Sequence, residues 1–243
     1  MAKRPFIRKK KRQVSGTNFW DKEYQNATHL KLSTEPSADL EKFMRWLERQ
    51  KNPLPVKENA SVLDLGAGNG RNLIYLAKNY ELQGIGYDIS TTAIKQAVAA
   101  SEGLDLQYKV RSIADSLDLP DESQRLVLDM MTSHFLNQKE RLFLRDEIYR
   151  VLEPGGWFFL KTFLADDDLH TRHLLKNHPG KEASSYIHPV MGVAEFVYTE
   201  EELVAWLQPK FKIRQIYRSH KHKFRGRARK RRTISIYAEK DYR

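Results

Sequence analysis

Val62-Leu63-Asp64-Leu65-Gly66-Ala67-Gly68-Asn69-Gly70 runs as a short apolar strand straight into a glycine-rich turn, and a helical pattern follows over 69–79. Glycine belongs in such a turn because the backbone must reverse tightly and let a ligand come close where a Cβ would collide. The helix that opens behind the turn offers N–H groups and a positive dipole end to a carboxylate or phosphate. A second apolar strand spans 82–87, and Asp88 stands at its end. Its distance from Gly66 is close to the roughly 20 residues that separate glycine turn and ribose-binding carboxylate in nucleoside and dinucleotide sites.

Outward from this unit, strand and helix patterns keep alternating. Helices are predicted over 91–101 and 138–152, the latter with Leu142, Ile148 and Leu152 on its apolar side. Strands are predicted over 61–65, 104–110, 125–131 and 157–163, the last behind the turn Pro154-Gly155-Gly156. Strands alternating with helices of this length predict an α/β fold with a parallel sheet and right-handed crossovers. Before the unit, Leu40, Phe43, Met44 and Leu47 recur at helical spacing until Asn52-Pro53 stops the helix. After Phe163 the pattern breaks over 164–198 into a stretch rich in Asp, His, Pro and Gly, too long for an ordinary connection, which reads as a lid or binding loop. A helix at 199–207, with Thr199 and Glu202 in capping-box spacing, and two strands near 211–217 and 233–238 close the chain.

A nicotinamide or flavin enzyme uses similar geometry, but the glycines here run G-x-G-x-G and Arg71 takes the place of the third dinucleotide glycine. Asp64, two residues before the first glycine, would repel a pyrophosphate and attract an ammonium group. With these motifs in order, the chain resembles the class I S-adenosylmethionine (SAM)-dependent methyltransferases over roughly 19–237. Asp64 to Gly70 resembles their first motif and Gly84-Ile85-Gly86-Tyr87-Asp88-Ile89-Ser90 their second. Asp115, followed by Leu119-Pro120, is similar to the motif that meets the adenine, and Arg150-Val151-Leu152-Glu153-Pro154-Gly155-Gly156 to the turn before the fifth strand. Phe19-Trp20-Asp21-Lys22-Glu23-Tyr24 resembles the aromatic opening of many such enzymes. The resemblance implies a Rossmann-like sheet of seven strands, mostly parallel with the last antiparallel and helices on both faces. It implies S-adenosyl-L-methionine as cofactor, held by Asp64, Gly66, Ala67, Gly68, Asn69 and Gly70, by Asp88 and Ile89, and by Tyr24, Ala114, Asp115 and Met130. The chain departs from the family where an aromatic-Asp pair usually opens the fourth strand: Gln124-Arg125 stands there.

Charge is segregated. Residues 1–13 carry seven Lys and Arg, residues 219–232 carry eight, and neither segment holds an acid. The remaining 27 basic residues face 31 Asp and Glu, so the formal +11 resides in two short segments. Residues 1–16 read as a disordered basic arm, 17–243 as one methyltransferase domain, and 219–232 as a basic loop between the closing strands. With no cysteine, disulfides, thiolate metal sites and cysteine nucleophiles are excluded. His134, His170, His173, His178 and His188 lack the spacing of a zinc site, so no metal is expected. No apolar run reaches the roughly 18 residues of a membrane span and no leader pattern opens the chain, so a cytoplasmic protein is expected.

Two acceptor classes follow. The basic segments suit RNA or a ribonucleoprotein, with phosphates bound by Lys and Arg of 3–12 and 221–232. Some enzymes that methylate RNA ribose deprotonate the hydroxyl with an aspartate and lysines at strand ends, and Asp129 and Lys161 are the candidate catalytic residues in that case. The alternative is a metabolite methyltransferase whose lid closes over a small molecule. A non-enzymatic scaffold in a nucleic-acid complex, which would keep the fold alone, is the third reading.

Overall fold

The computed structural model describes residues 16–29, 32–50, 60–220, 222–224, 227–228 and 230–241. The basic arm before Gly16, residues 221, 225–226 and 229 of the basic loop, and the Asn52-Pro53 helix stop lie outside them. Helices α1 (Thr17–Gln25) and α2 (Ala38–Leu47) precede β1 (Ser61–Leu65), α3 (Arg71–Tyr80), β2 (Gln83–Asp88), α4 (Thr91–Ala100) and β3 (Leu106–Val110). Then come β4 (Gln124–Met130), a 3-10 turn at Ser133–Phe135, α5 (Gln138–Val151) and β5 (Leu152–Phe163). The expected lid contains α6 (Leu169–Asn177) and a small hairpin of β6 (Ser185–Ile187) and β7 (Ala194–Phe196). Helix α7 (Glu200–Leu207), β8 (Lys212–Arg218), the short hairpin strands β9 (Lys223–Phe224) and β10 (Arg227–Ala228), and β11 (Thr233–Glu239) complete the order.

Seven strands form one sheet in the order β3-β2-β1-β4-β5-β11-β8. β11 runs antiparallel to both β5 and β8, while β1 to β5 are mutually parallel. This is the mostly parallel α/β sheet with an antiparallel last strand that the motifs implied. Side chains alternate between its faces with period two. Leu63, Leu65, Val127, Phe158, Leu160 and Ile236 pack with α5 and α7, whereas Val62, Leu126, Leu128, Phe159 and Tyr237 pack with α2 and α3. Leu40, Phe43, Met44 and Leu47 of α2 are all buried there, as their spacing predicted.

Two expectations are corrected. On α5 the core face is Leu144, Ile148 and Val151, while Leu142 is 40% exposed. At about 100° per residue Leu142 lies well off the face that Ile148 defines. β5 begins at Leu152 instead of Trp157, because Gly155 N–H donates to the Lys240 carbonyl and Lys240 N–H to that of Gly156, carrying pairing through the glycine turn.

Candidate active site

β1, β2, β3 and β4 are parallel, so the loops behind them leave the same edge of the sheet, and the strand order reverses between β2-β1 and β4-β5. Such a switch point opens a crevice. Here it holds a cavity of about 720 Å³ lined by Gly66, Ala67, Gly68 and Asn69, by Asp88 and Ile89, and by residues 111–115. Trp20 and Tyr24 of α1, residues 130–132 and 135–137 behind β4, Glu140 and Arg141 of α5, and residues of the insertion between 181 and 196 complete the lining.

The glycine turn is fixed from within. Gly66 and Ala67 N–H both donate to the Tyr87 carbonyl at 2.7 and 2.9 Å, and Gly70 N–H donates to that of Ala67. Gly66, Gly68 and Gly70 have φ of 76°, 57° and 79°, in the left-handed region. A Cβ at Gly66 would collide with the Thr132 side chain and one at Gly68 with the Tyr24 hydroxyl. Gly70 caps α3 without a side-chain hydrogen bond, so that helix start keeps unspent N–H groups.

Three carboxylates surround the turn. Asp88 accepts from Gly68 N–H at 2.9 Å and from Ser90 N–H at 2.8 Å, one on each oxygen. Burial raises its pKa against these hydrogen bonds. Asp64 lies beneath the turn, 1% exposed, and its Oδ2 has no hydrogen-bond partner. Burial, with the nearby charge of Asp88, pushes it up to about 7. Asp115 is exposed at the cavity wall beside Ala114.

Most of the predicted cofactor residues meet in one place: Tyr24, Gly66, Ala67, Gly68, Asn69, Asp88, Ile89, Ala114, Asp115 and Met130 all line the cavity. Asp64 and Gly70 stand behind it. The Asn69 side chain donates to the Ser33 carbonyl at 3.0 Å, tying the segment before α2 to the turn.

The two candidate catalytic residues are not brought together. Asp129 pairs in register with Leu160, and Met130 with Lys161, so Asp129 and Lys161 leave opposite faces of the sheet. Lys161 forms an ion pair with Asp39 of α2, on the face away from α5. Asp129 is fully buried, and its Oδ1 accepts from Thr132 and Ser133 N–H at 3.2 and 3.1 Å, capping the 3-10 turn. Burial pushes it up to about 6. Neither lines the cavity, and a joint deprotonation of one hydroxyl is ruled out by this alternation.

Sequence reasoning missed the lining behind β4 and in the insertion. Met131 takes a left-handed φ of 73° and lines the cavity, as do Thr132 and Phe135 behind it. Arg141 is buried, its guanidinium 3.7 Å from the Phe196 ring centroid and 2.6 Å from Glu182. The insertion is moored to the start of β11: Arg231 donates to Glu195 at 3.0 Å, to Thr171 at 3.2 Å and to the Tyr186 hydroxyl, while Arg232 N–H donates to Asp168 at 2.8 Å. The Arg232 guanidinium donates to the Asp166 carbonyl at 3.0 Å, so two of the eight cations expected to meet phosphates are committed within the molecule. His134 is buried between Phe135 and Phe163, and burial pushes it down to about 4. Among the described residues no group of three or more metal-ligating side chains occurs, and no helix is long and apolar enough to cross a membrane.

Residues 62–156 match a family model described as a methyltransferase domain. The chain is 32% identical over 117 residues to ajmaline N-methyltransferase of Rauvolfia serpentina, covering 46% of this chain and 39% of that one. It is 32% identical over 169 residues to tRNA (guanine-N(7)-)-methyltransferase of Helicobacter pylori, covering 63% and 37%. This chain therefore spans about two fifths of the length of these curated relatives. A solved SAM-dependent methyltransferase from Methanosarcina mazei superposes with a TM-score of 0.63 at 25% identity, covering 77% of this chain and 95% of that one. Glycine turn, strand order and these likenesses agree: residues 62–156 form a methyltransferase domain, on the class I Rossmann-like fold that the SAM-dependent methyltransferase from Methanosarcina mazei shares.

Proposed function

We propose that the protein transfers a methyl group from SAM to a nucleophile on RNA, held in the half of the cavity beneath the insertion. The buried, unpartnered Oδ2 of Asp64 is the observation that carries the cofactor reading. A lone carboxylate oxygen in the interior is costly, and a cationic methionyl group supplies the missing charge. The residues fit that cofactor in two further ways. The absence of side chains at Gly66 and Gly68 lets Thr132 and Tyr24, both of the cavity wall, close against the turn, and each Asp88 oxygen keeps a lone pair for a ribose hydroxyl. SAM supplies a methyl carbon activated by a sulfonium. The protein's share is to align the acceptor with it and to exclude water.

Charge and its placement support RNA. The described chain starts at Gly16, where an added Cβ would lie 3.2 Å from Val193 of the insertion, so the arm before it joins the fold beside the cavity. β11 starts opposite the end of β5, so residues 230–232 of the basic segment adjoin the same sheet edge. The likeness to a tRNA methyltransferase points the same way. The test is mass spectrometry of RNA and of small molecules from cells with and without the gene. The reading predicts one methylated nucleoside lost with the gene. Unchanged RNA with one methylated metabolite lost would favour the second reading, a small-molecule enzyme, for which the insertion over the cavity and the likeness to ajmaline N-methyltransferase speak.

A further inference from the structure

The part of the cavity lined by the insertion and by residues 135–137 has a chemistry of its own. Its walls include Trp20, Phe135, Phe196 and Ile187. The Trp20 and Phe135 rings meet edge to face at a centroid distance of 5.6 Å, which fixes their planes. Opposite charges in this part cancel in pairs. Arg141 is spent on Glu182 and on the Leu136 carbonyl, and Glu195 on Arg231. Glu182 also accepts from Gln138 N–H at 2.8 Å, closing the start of α5.

Of the cations that line the cavity, Arg111 pairs with Asp118 and Arg71 donates to the Glu35 carbonyl. Lys181 is the exception: it is exposed at the rim and forms no hydrogen bond or ion pair with any described residue. Aromatic side chains in the lining, one free ammonium at the rim and the nearby Asn137 amide match a planar base carried on a phosphorylated sugar. Enzymes that modify a base must take it out of its stack into such a pocket.

We infer that this part of the cavity binds one nucleotide unit, with the base against its aromatic side chains and its phosphate at Lys181. The inference rests on the methyltransferase reading and names the ligand class of its second subsite. Its source is either a free nucleotide or one residue of an RNA strand, since both present the same base and phosphate.

The full chain, loaded with S-adenosylhomocysteine, is titrated calorimetrically with the four ribonucleoside monophosphates, the four nucleosides and a ten-nucleotide RNA of mixed sequence. At least one monophosphate is expected to bind, roughly fivefold more tightly than its nucleoside, as one rim ion pair supplies. K181Q, a change at an exposed position, removes that difference and leaves the nucleoside affinity unchanged. An oligonucleotide affinity that exceeds every monophosphate's and falls in K181Q identifies a strand as the source, and one that does not fall in K181Q identifies a free nucleotide. Absence of monophosphate binding with oligonucleotide binding indifferent to K181Q, or a phosphate preference that survives in K181Q, overturns the inference. Loading with S-adenosylhomocysteine is measured first in the same sample. Failure there strikes the methyltransferase reading itself, whereas loading without nucleotide binding strikes the second subsite alone.

Discussion

Asp64 sets the energetics of the site because it is buried beside another carboxylate and has one oxygen unpaired. Burial favours its neutral form, with a pKa of about 7, and an ammonium group bound nearby favours the ionised form. Binding below that pH must therefore expel a proton. The affinity for S-adenosylhomocysteine is predicted to rise with pH through about 7 and then level off, losing up to tenfold per pH unit on the acid side. Asp64→Asn should bind more weakly and lose this slope, and calorimetry between pH 5.5 and 8.5 reads both. Lys161 belongs to the opposite case. Its partner is Asp39 on the far face, so Lys161→Met is expected to keep the wild-type affinity for S-adenosylhomocysteine within about twofold, the limit set by an exposed ion pair's small worth. A loss of more than tenfold would return Lys161 to the site.

At the scale of elements, the glycine turn and the moored insertion behave as two separable units. Gly66→Ala adds a Cβ against Thr132 at a left-handed φ of 76°. A cost of roughly 2–5 kcal/mol in unfolding free energy is expected, with loss of S-adenosylhomocysteine binding. Arg231→Met removes the group that joins Thr171, Tyr186 and Glu195 and leaves the buried Glu195 uncompensated. Breaking such a pair costs roughly 3–5 kcal/mol. Hydrogen exchange should rise first over 169–196 while the glycine turn stays protected. Equal exposure of both regions would show that they unfold together.

The elements built on local pattern were legible in the sequence. Val62 to Gly70 carries strand, turn and helix within nine residues, and α2 announces its buried face through four apolar positions. What stayed hidden depends on register and long-range pairing. Only the pairing of Asp129 with Leu160 and of Met130 with Lys161 reveals that two residues near strand ends face away from each other. Arg231 reads as one more cation in a basic run until the insertion closes around it.

At the scale of the whole molecule, the fold divides labour between an edge that binds and segments that carry charge. The formal +11 resides in two short runs, and the described ends of both adjoin the cavity side of the sheet. RNA binding is predicted to weaken with salt, with a log–log slope of about −0.7 for each phosphate contacted on a single strand. Deleting 1–13 should flatten that slope and leave S-adenosylhomocysteine binding intact, and titrations at two salt concentrations measure it. The central claim, that the glycine turn and its carboxylates form a SAM site and not a dinucleotide site, is tested most directly by calorimetric titration of the purified chain with S-adenosylhomocysteine and with NADH. The account predicts one S-adenosylhomocysteine bound per chain with a roughly micromolar Kd, about −8 kcal/mol, and no heat from NADH. NADH binding without S-adenosylhomocysteine binding would contradict it.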